Sequence, residues 1–375
     1  MKRIFTVLTS IALTFALSFS AAFASDDAFL KSQNYLKTIA LDSPDAVIAY
    51  EATGMEADYK ADALLNNFKE TDYVTASYGD LAKSIIAISL LGENPKDFNK
   101  TNLVEILENR VQEDGTLTND VNGGCGATIW TLMALETVNS PKVKAVADKL
   151  STMAMDNGAY WYEYQGPNAD LDTTGWAMEA LSVAGRSTYK AVISKAYTFV
   201  QSKLNSTDGY YDNWGGNADT QSCVLEGLSV AGYTLDTNAY NYLLSYQNED
   251  GTFNALNYST NQLEPNAYAS VEGARALGVI NNGSFVLKAR RDYTKTTTPV
   301  VTEPETPTTP SVKPETPITP STTTPAVKPE TTTTEPKKET VKVVNTGDNT
   351  NVMAYVVAAI AAVGVIVLVI KSKKK

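Results

Sequence analysis

Apolar residues along this chain gather in short blocks that return at a nearly fixed interval. The blocks end at Gly92 (AKSIIAISLLG), Asn139 (ATIWTLMALETVN), Gly185 (TTGWAMEALSVAG), Gly232 (TQSCVLEGLSVAG) and Gly278 (YASVEGARALG), at intervals of 47, 46, 47 and 46 residues. Each is rich in Ala, Leu, Ile and Val, carries almost no charge and in most cases closes on glycine, which predicts a helix with a left-handed cap. Helices apolar all round are buried all round. Between the blocks run amphipathic stretches, 98–111, 141–153, 189–204 and 238–246, whose polar faces suit an outer layer. An earlier pair fits the same scheme, with 45–53 inside and 57–68 outside, and 28–38 adds one more outer segment. The pattern predicts an all-α fold of six inner and six outer helices, enough to close a ring.

The links from outer to inner segments carry a second recurring signature: Gln112-Glu-Asp-Gly115-Thr-Leu117, Asp156-Asn-Gly158-Ala-Tyr160, Asp208-Gly209-Tyr-Tyr211 and Gln247-Asn-Glu-Asp-Gly251-Thr-Phe253. Asp-Gly makes a tight turn, and the apolar residue after it pins the loop to the core.

Both termini are apolar for other reasons. Lys2 and Arg3, the run from Ile4 to Phe19, and Ala22-Phe23-Ala24 before Ser25 have the layout of an export signal over residues 1–24, cut between Ala24 and Ser25. Residues 352–370 are nineteen without a charge, followed by KSKKK, which predicts a transmembrane helix with a basic cytoplasmic tail. Ten of the fifteen prolines lie between Pro299 and Pro336, and KPET occurs at 313–316 and at 328–331. Such a Thr/Pro/Glu/Lys-rich segment cannot bury enough apolar area to fold, so residues 293–344 read as an extended stalk above an anchor at 345–375. The expected domain is therefore 25–292, exported and displayed outward on a cell surface.

Charge and composition narrow the chemistry. The formal net charge is −11, and without the six terminal bases 25 basic residues stand against 42 acidic ones. Such a surface repels phosphate backbones, so nucleic acid is excluded as a partner. The chain has no histidine, which removes Ser-His-Asp and Cys-His machinery and imidazole metal ligands. Cys125 and Cys223 fall two repeats apart, so no bridge is expected, and neither is a metal or a cofactor.

The Gln-x-x-Asp-Gly turns, the Ala/Leu-rich inner helices and the 46–47 period resemble the terpenoid cyclase and protein prenyltransferase superfamily, and within it the branch found in Gram-positive surface proteins. The resemblance spans about 265 residues and includes Trp214-Gly-Gly-Asn217-Ala-Asp219-Thr220 with Val224-Leu-Glu-Gly-Leu228. It implies an (α/α)6 toroid with a ligand cup at one end of its inner helices. Val343-Val-Asn-Thr346-Gly347 likewise resembles a sortase signal with its Leu-Pro replaced. Attachment to peptidoglycan through Thr346 and Gly347, and simple retention in the membrane, both remain open.

Several chemistries then compete. Prenyl transfer would need a zinc-ligating histidine and is excluded. The run Asp170-Leu-Asp172-Thr173-Thr174 lies in register with the superfamily's cyclase acid motif, with Asp172 as the proton donor, but Thr173 replaces its last acid. Asp219 sits in the same register one repeat later, and helix N-capping explains both aspartates. Gly124-Cys125-Gly126 resembles a thioester motif that lacks its glutamine. Glycan hydrolysis would draw on Asp170, Asp172, Asp219 and Glu264. Calcium ligation by Asp208, Asp212, Asn213, Asn217 and Asp219 has no recognised spacing, and turn chemistry accounts for these residues. An aromatic binding cup is favoured instead, from Tyr160, Trp161, Tyr162 and Tyr164 in one loop, Tyr210, Tyr211 and Trp214 in the next, and Trp176 on an inner helix. Aromatic faces beside Asp and Asn side chains suit a small molecule, a glycan or a peptide; vitamin B12 carriers with this toroid make a corrinoid a further possibility. Trp130 is assigned to the core. The sequence thus favours a non-catalytic binding protein, with an extracellular hydrolase-like or cyclase-like enzyme using Asp172 with Asp170 or Asp219 as the alternative.

Overall fold

The computed structural model describes residues 26–57, 65, 66, 68, 71–120, 123–162, 166–211 and 216–297. Among them are twelve helices and two short hairpins. In chain order the helices are α1 (Asp26–Leu36), α2 (Pro44–Ala52), α3 (Tyr78–Leu90), α4 (Leu103–Asn109), α5 (Gly126–Thr137), α6 (Val143–Met153), α7 (Leu171–Gly185), α8 (Lys190–Ser202), α9 (Ala218–Ala231), α10 (Thr237–Ser245), α11 (Ala267–Asn282) and α12 (Phe285–Thr297). The all-α expectation holds at the level of a helix-dominated fold.

Two classes of helix separate by burial, as the blocks predicted. In α5 every residue from Gly126 to Thr137 is buried, whereas α6 buries only Val146, Ala147 and Leu150 on one face. The buried helices α2, α3, α5, α7, α9 and α11 pack each on the next, and α11 packs on α2. The one-sided helices bridge them: α6 touches α5 and α7, α8 touches α7 and α9, and α1 touches α11 and α2. The ends of this circuit are joined by hydrogen bonds. Gln247 Nε2 donates to Ala28 O and Ser32 Oγ, both at 2.9 Å, and Asn282 Nδ2 to Ala52 O at 2.9 Å.

The Asp-Gly turns explain the constant stride. A Cβ on Gly115 would stand 2.1 Å from Ala145 O in α6, and one on Gly251 would stand 2.1 Å from Lys31 O in α1. Each turn is thus pressed onto the next outer helix, and the last turn is pressed onto the first described helix. Both glycines have positive φ, +83° and +86°, so no other residue fits without strain.

Three features depart from expectation. β1 (Leu204–Asn205) pairs with β2 (Gly209–Tyr210), and β3 (Phe253–Asn257) pairs antiparallel with β4 (Gln262–Asn266). The outer stretch 98–111 shortens to α4, because Asn99 and Lys100 take positive φ in a turn closed by a Phe98–Thr101 bridge and helix formation starts at the Asn102 cap. α12 runs through the expected boundary at 292/293 to Thr297. It buries Phe285, Val286, Ala289 and Tyr293 and packs on α2, α3 and α5.

α12 is also fastened by polar contacts to acids in the second half of three inner helices. Lys288 Nζ pairs with Glu51 at 2.5 Å, Arg290 pairs with Glu136, and Ser284 Oγ donates to Glu179 Oε1 at 3.1 Å. The outer stretch 57–68 falls largely outside the described residues, as do the signal segment with Ala24 and Ser25, the stalk, Thr346, Gly347 and the span 352–370. Among the described residues no helix is long and apolar enough to cross a membrane.

Candidate functional site

At the end where the inner helices begin, the fold encloses a cavity of about 540 Å³. Its rim is the 74–80 segment leading into α3 and the loop at 118–120. Its walls are the start of α5 at Gly126 and Ala127, with Trp130, Trp176, Tyr162 and Tyr268. Three of the helices at this end, α3, α7 and α11, start at a side-chain cap. Ser77 Oγ accepts from Asp80 N at 3.1 Å, Asp170 Oδ1 from Thr173 N at 2.7 Å, and Asn266 Oδ1 from Ala269 N at 3.0 Å. Capping satisfies N–H groups that have no partner within the helix.

The rim is held from below by Arg110. Its Nη1 donates to Ala76 O at 2.7 Å and its Nη2 to Tyr73 O and Val74 O at 2.6 and 2.7 Å, while the guanidinium lies over the Tyr78 ring at 5.6 Å. Tyr78 Oη in turn donates to Thr118 O at 2.6 Å, joining the two rim loops. Burial raises the Tyr78 phenol pKa, and Arg110 opposes the rise. Lys83 Nζ stands 4.6 Å from the Trp130 ring centroid and pairs with Asp45 Oδ1 at 2.9 Å. Trp130 and Trp176 meet at 5.9 Å between ring centroids, tilted by 59°.

Carboxylates lie close behind this wall. Asp172 is one turn before Trp176, and one of its oxygens is buried with no hydrogen-bond partner. Burial, followed by the charge of Asp170, pushes its pKa well above the usual range. Asp219 also has a buried oxygen without a partner, and burial moves its pKa up to about 6 against the pull of Arg275. Glu272, one turn after Tyr268, rises to about 7, chiefly through burial and again opposed by Arg275. Burial likewise raises the Cys223 thiol, whose Sγ lies 3.7 Å from Glu272 Oε2. Arg275, almost fully buried, is bound to Glu226 at 3.0 Å.

The sequence-derived aromatic cup is only partly present. Tyr162 and Trp176 line the cavity, and Trp161 is half-buried against the core with its carbonyl accepting from Cys125 N at 3.2 Å. Tyr160 and Tyr210 are fully buried and are removed from the site. Both turn inward because they are the apolar pins of their Asp-Gly turns. Tyr160 N donates to Thr174 Oγ1 at 3.0 Å, and Tyr210 N to Gln221 Oε1 at 2.9 Å. Tyr211 is 47% exposed and is not among the residues lining the cavity. Tyr164, Trp214, Asp212 and Asn213 lie outside the described residues.

The aspartates also need correction. Only Asp170 is the N-cap of α7, and Asn217 caps α9 at 2.8 Å from Thr220 N. Asp172 and Asp219 occupy the first turn without capping it, so capping does not account for them. Glu264 is on the β4 strand, hydrogen-bonded to Asn257 and Thr260. Cys125 and Cys223 are both buried thiols not joined in a disulfide. No group of three or more acids or cysteines among the described residues is placed to hold a metal ion.

Trp130, assigned to the core from the sequence, is buried in the core and also lines the cavity. Sequence reasoning missed the rim at 74–80 and 118–120, although Tyr78 opening an apolar block and Asn119 in a polar loop were visible signals. The chain matches no protein-family model and no curated protein.

Proposed function

We propose that this is a binding protein displayed outside the cell, in which the circuit of inner helices is an (α/α)6 toroid and the cavity at their N-terminal end holds a small ligand. The observation that carries the reading is the cavity itself, with aromatic walls from four segments and polar groups on its rim. Its volume falls in the range of small-molecule sites, and its lining sets aromatic side chains beside a largely polar rim. The export signal, stalk and apolar C-terminal span in the sequence support outward display, in the membrane or on the wall.

The test is an array of glycans, peptides and corrinoids probed with the full chain. Trp130→Ala and Tyr162→Ala should weaken any ligand found by ten-fold or more. Unchanged affinity in both variants would put the site elsewhere.

The partnerless oxygen and raised pKa of Asp172 favour one second reading, an enzyme with Asp172 as general acid beside Asp219. Asp170 supports that reading through its charge beside Asp172, while its Oδ1 caps the helix by accepting from Thr173 N and Oγ1. Turnover of a glycan or lipid that Asp172→Asn abolishes without unfolding the protein would replace binding by catalysis.

A further inference from the structure

Resting on the binding reading above, we propose that the ligand of this cavity carries an ammonium group, primary or quaternary, seated against the Trp130–Trp176 wall. The argument begins with the cations already there. Lys83 is neutralised by Asp45, with Nζ 2.9 and 3.1 Å from its two oxygens. Arg110 spends its guanidinium on three carbonyl oxygens. A phosphate or carboxylate ligand would have to break one of these arrangements to find a counter-charge. The cavity therefore selects against anions.

The acids are differently placed. Asp80 lies in the lining, accepts from the Ser77 hydroxyl at 2.7 Å, and has no ion pair among the described residues. The formal net charge of −11 supplies a long-range field of the same sign, which concentrates cations near such a surface.

The walls also have the right electronic character. Ring faces are electron-rich and attract cations within about 6 Å. The protein uses its own rings in this way twice at this site, with Lys83 over Trp130 at 4.6 Å and Arg110 over Tyr78 at 5.6 Å. Trp176 lies beside Trp130 in the same wall, and no cation among the described residues is placed over its ring. An amino sugar and a choline-like headgroup share this chemistry.

The experiment titrates the full chain, followed by tryptophan fluorescence and calorimetry, with two matched pairs. One pair is choline and its neutral carbon isostere 3,3-dimethyl-1-butanol. The other is the glucosamine trimer and its fully N-acetylated form. In at least one pair the charged member should bind about ten-fold more tightly, equivalent to roughly 1.4 kcal/mol; the pair that discriminates identifies the source of the ammonium. Trp176→Leu should erase the preference, and Asp80→Asn, on the exposed rim, should reduce it in a chain whose fold is not at risk. Equal or tighter binding of the neutral members overturns the inference and leaves cavity binding intact. Absence of binding by all four probes also overturns it. The binding reading itself falls only if the array yields no ligand, or only ligands indifferent to Trp130→Ala and Tyr162→Ala.

Discussion

Phe285 lies stacked on Trp130, with ring centroids 6.4 Å apart and planes 28° from parallel. The first residue of α12 therefore touches a wall of the cavity, although the helix packs on the second half of the inner helices. Phe285 is 1% exposed, so Phe285→Ala removes a ring from a closed core. The loss should be about 3–5 kcal/mol, measured as a lower urea midpoint. Tryptophan fluorescence should shift as well, because Trp130 loses its stacking partner.

The closure at Gly251 can be tested by contrast with a second glycine. Gly251→Ala would push Cβ to 2.1 Å from Lys31 O, whereas Gly92→Ala, also at positive φ, meets nothing within 4 Å. The first should lose about 1–3 kcal/mol beyond the second, read by chemical denaturation. Equal losses would mean that the turn and α1 are not pressed together.

Asp170 and Asp172 should separate in the same assay. Asp170→Ala removes a cap and should destabilise by about 1 kcal/mol. Asp172→Asn replaces a carboxyl whose ionised form burial disfavours and removes no cap, so stability at pH 7 should be unchanged or higher. A marked loss from Asp172→Asn would restore the capping role that its position in the helix denies it.

Stability should fall as pH rises from about 5 to 8. Asp219 near 6 and Glu272 near 7 hold protons more tightly folded than unfolded. Their contribution is complete below the ordinary carboxylate range and is lost as pH passes through the raised values. The acids whose pKa values are lowered, such as Asp148 and Asp292, act below that window, losing stability only at stronger acidity. The melting temperature should therefore be higher at pH 5 than at pH 8, and Glu272→Gln should flatten the profile.

Breaking the Arg275–Glu226 pair should be severe. Arg275→Met leaves a buried carboxylate without its partner, a change of about 3–5 kcal/mol. The double variant with Glu226→Leu should recover much of that loss, measured by the same denaturation curves.

The inner helices were legible because burial on every side leaves a sequence with no polar face. The blocks at 127–139 and 173–185 therefore announce themselves without any knowledge of neighbours. The turns were legible because Asp-Gly has one local meaning. The site was less so, since a tyrosine after such a turn reads the same whether it points outward, as in a cup, or inward, as Tyr160 and Tyr210 do. Trp130 and Trp176 share a register, yet only packing reveals that they wall a cavity together. α12 was hidden by its charges: Lys288 and Arg290 look like surface residues until the acids that receive them, Glu51 and Glu136, are seen on other helices. Its buried positions 285, 286, 289 and 293 nevertheless carry helical spacing that a closer reading of the sequence would have found.

The seating of α12 has a mechanical consequence. The described chain leaves through Thr297, so a pull applied beyond that residue reaches α12 before any inner helix. It meets the Thr296 hydroxyl bonded to Gly92 O first, then Tyr293 and the Arg290 and Lys288 pairs, and the Phe285 stack after them. Tension would peel the helix from its free end, one contact at a time, and the Trp130 wall would feel it only after the others had yielded.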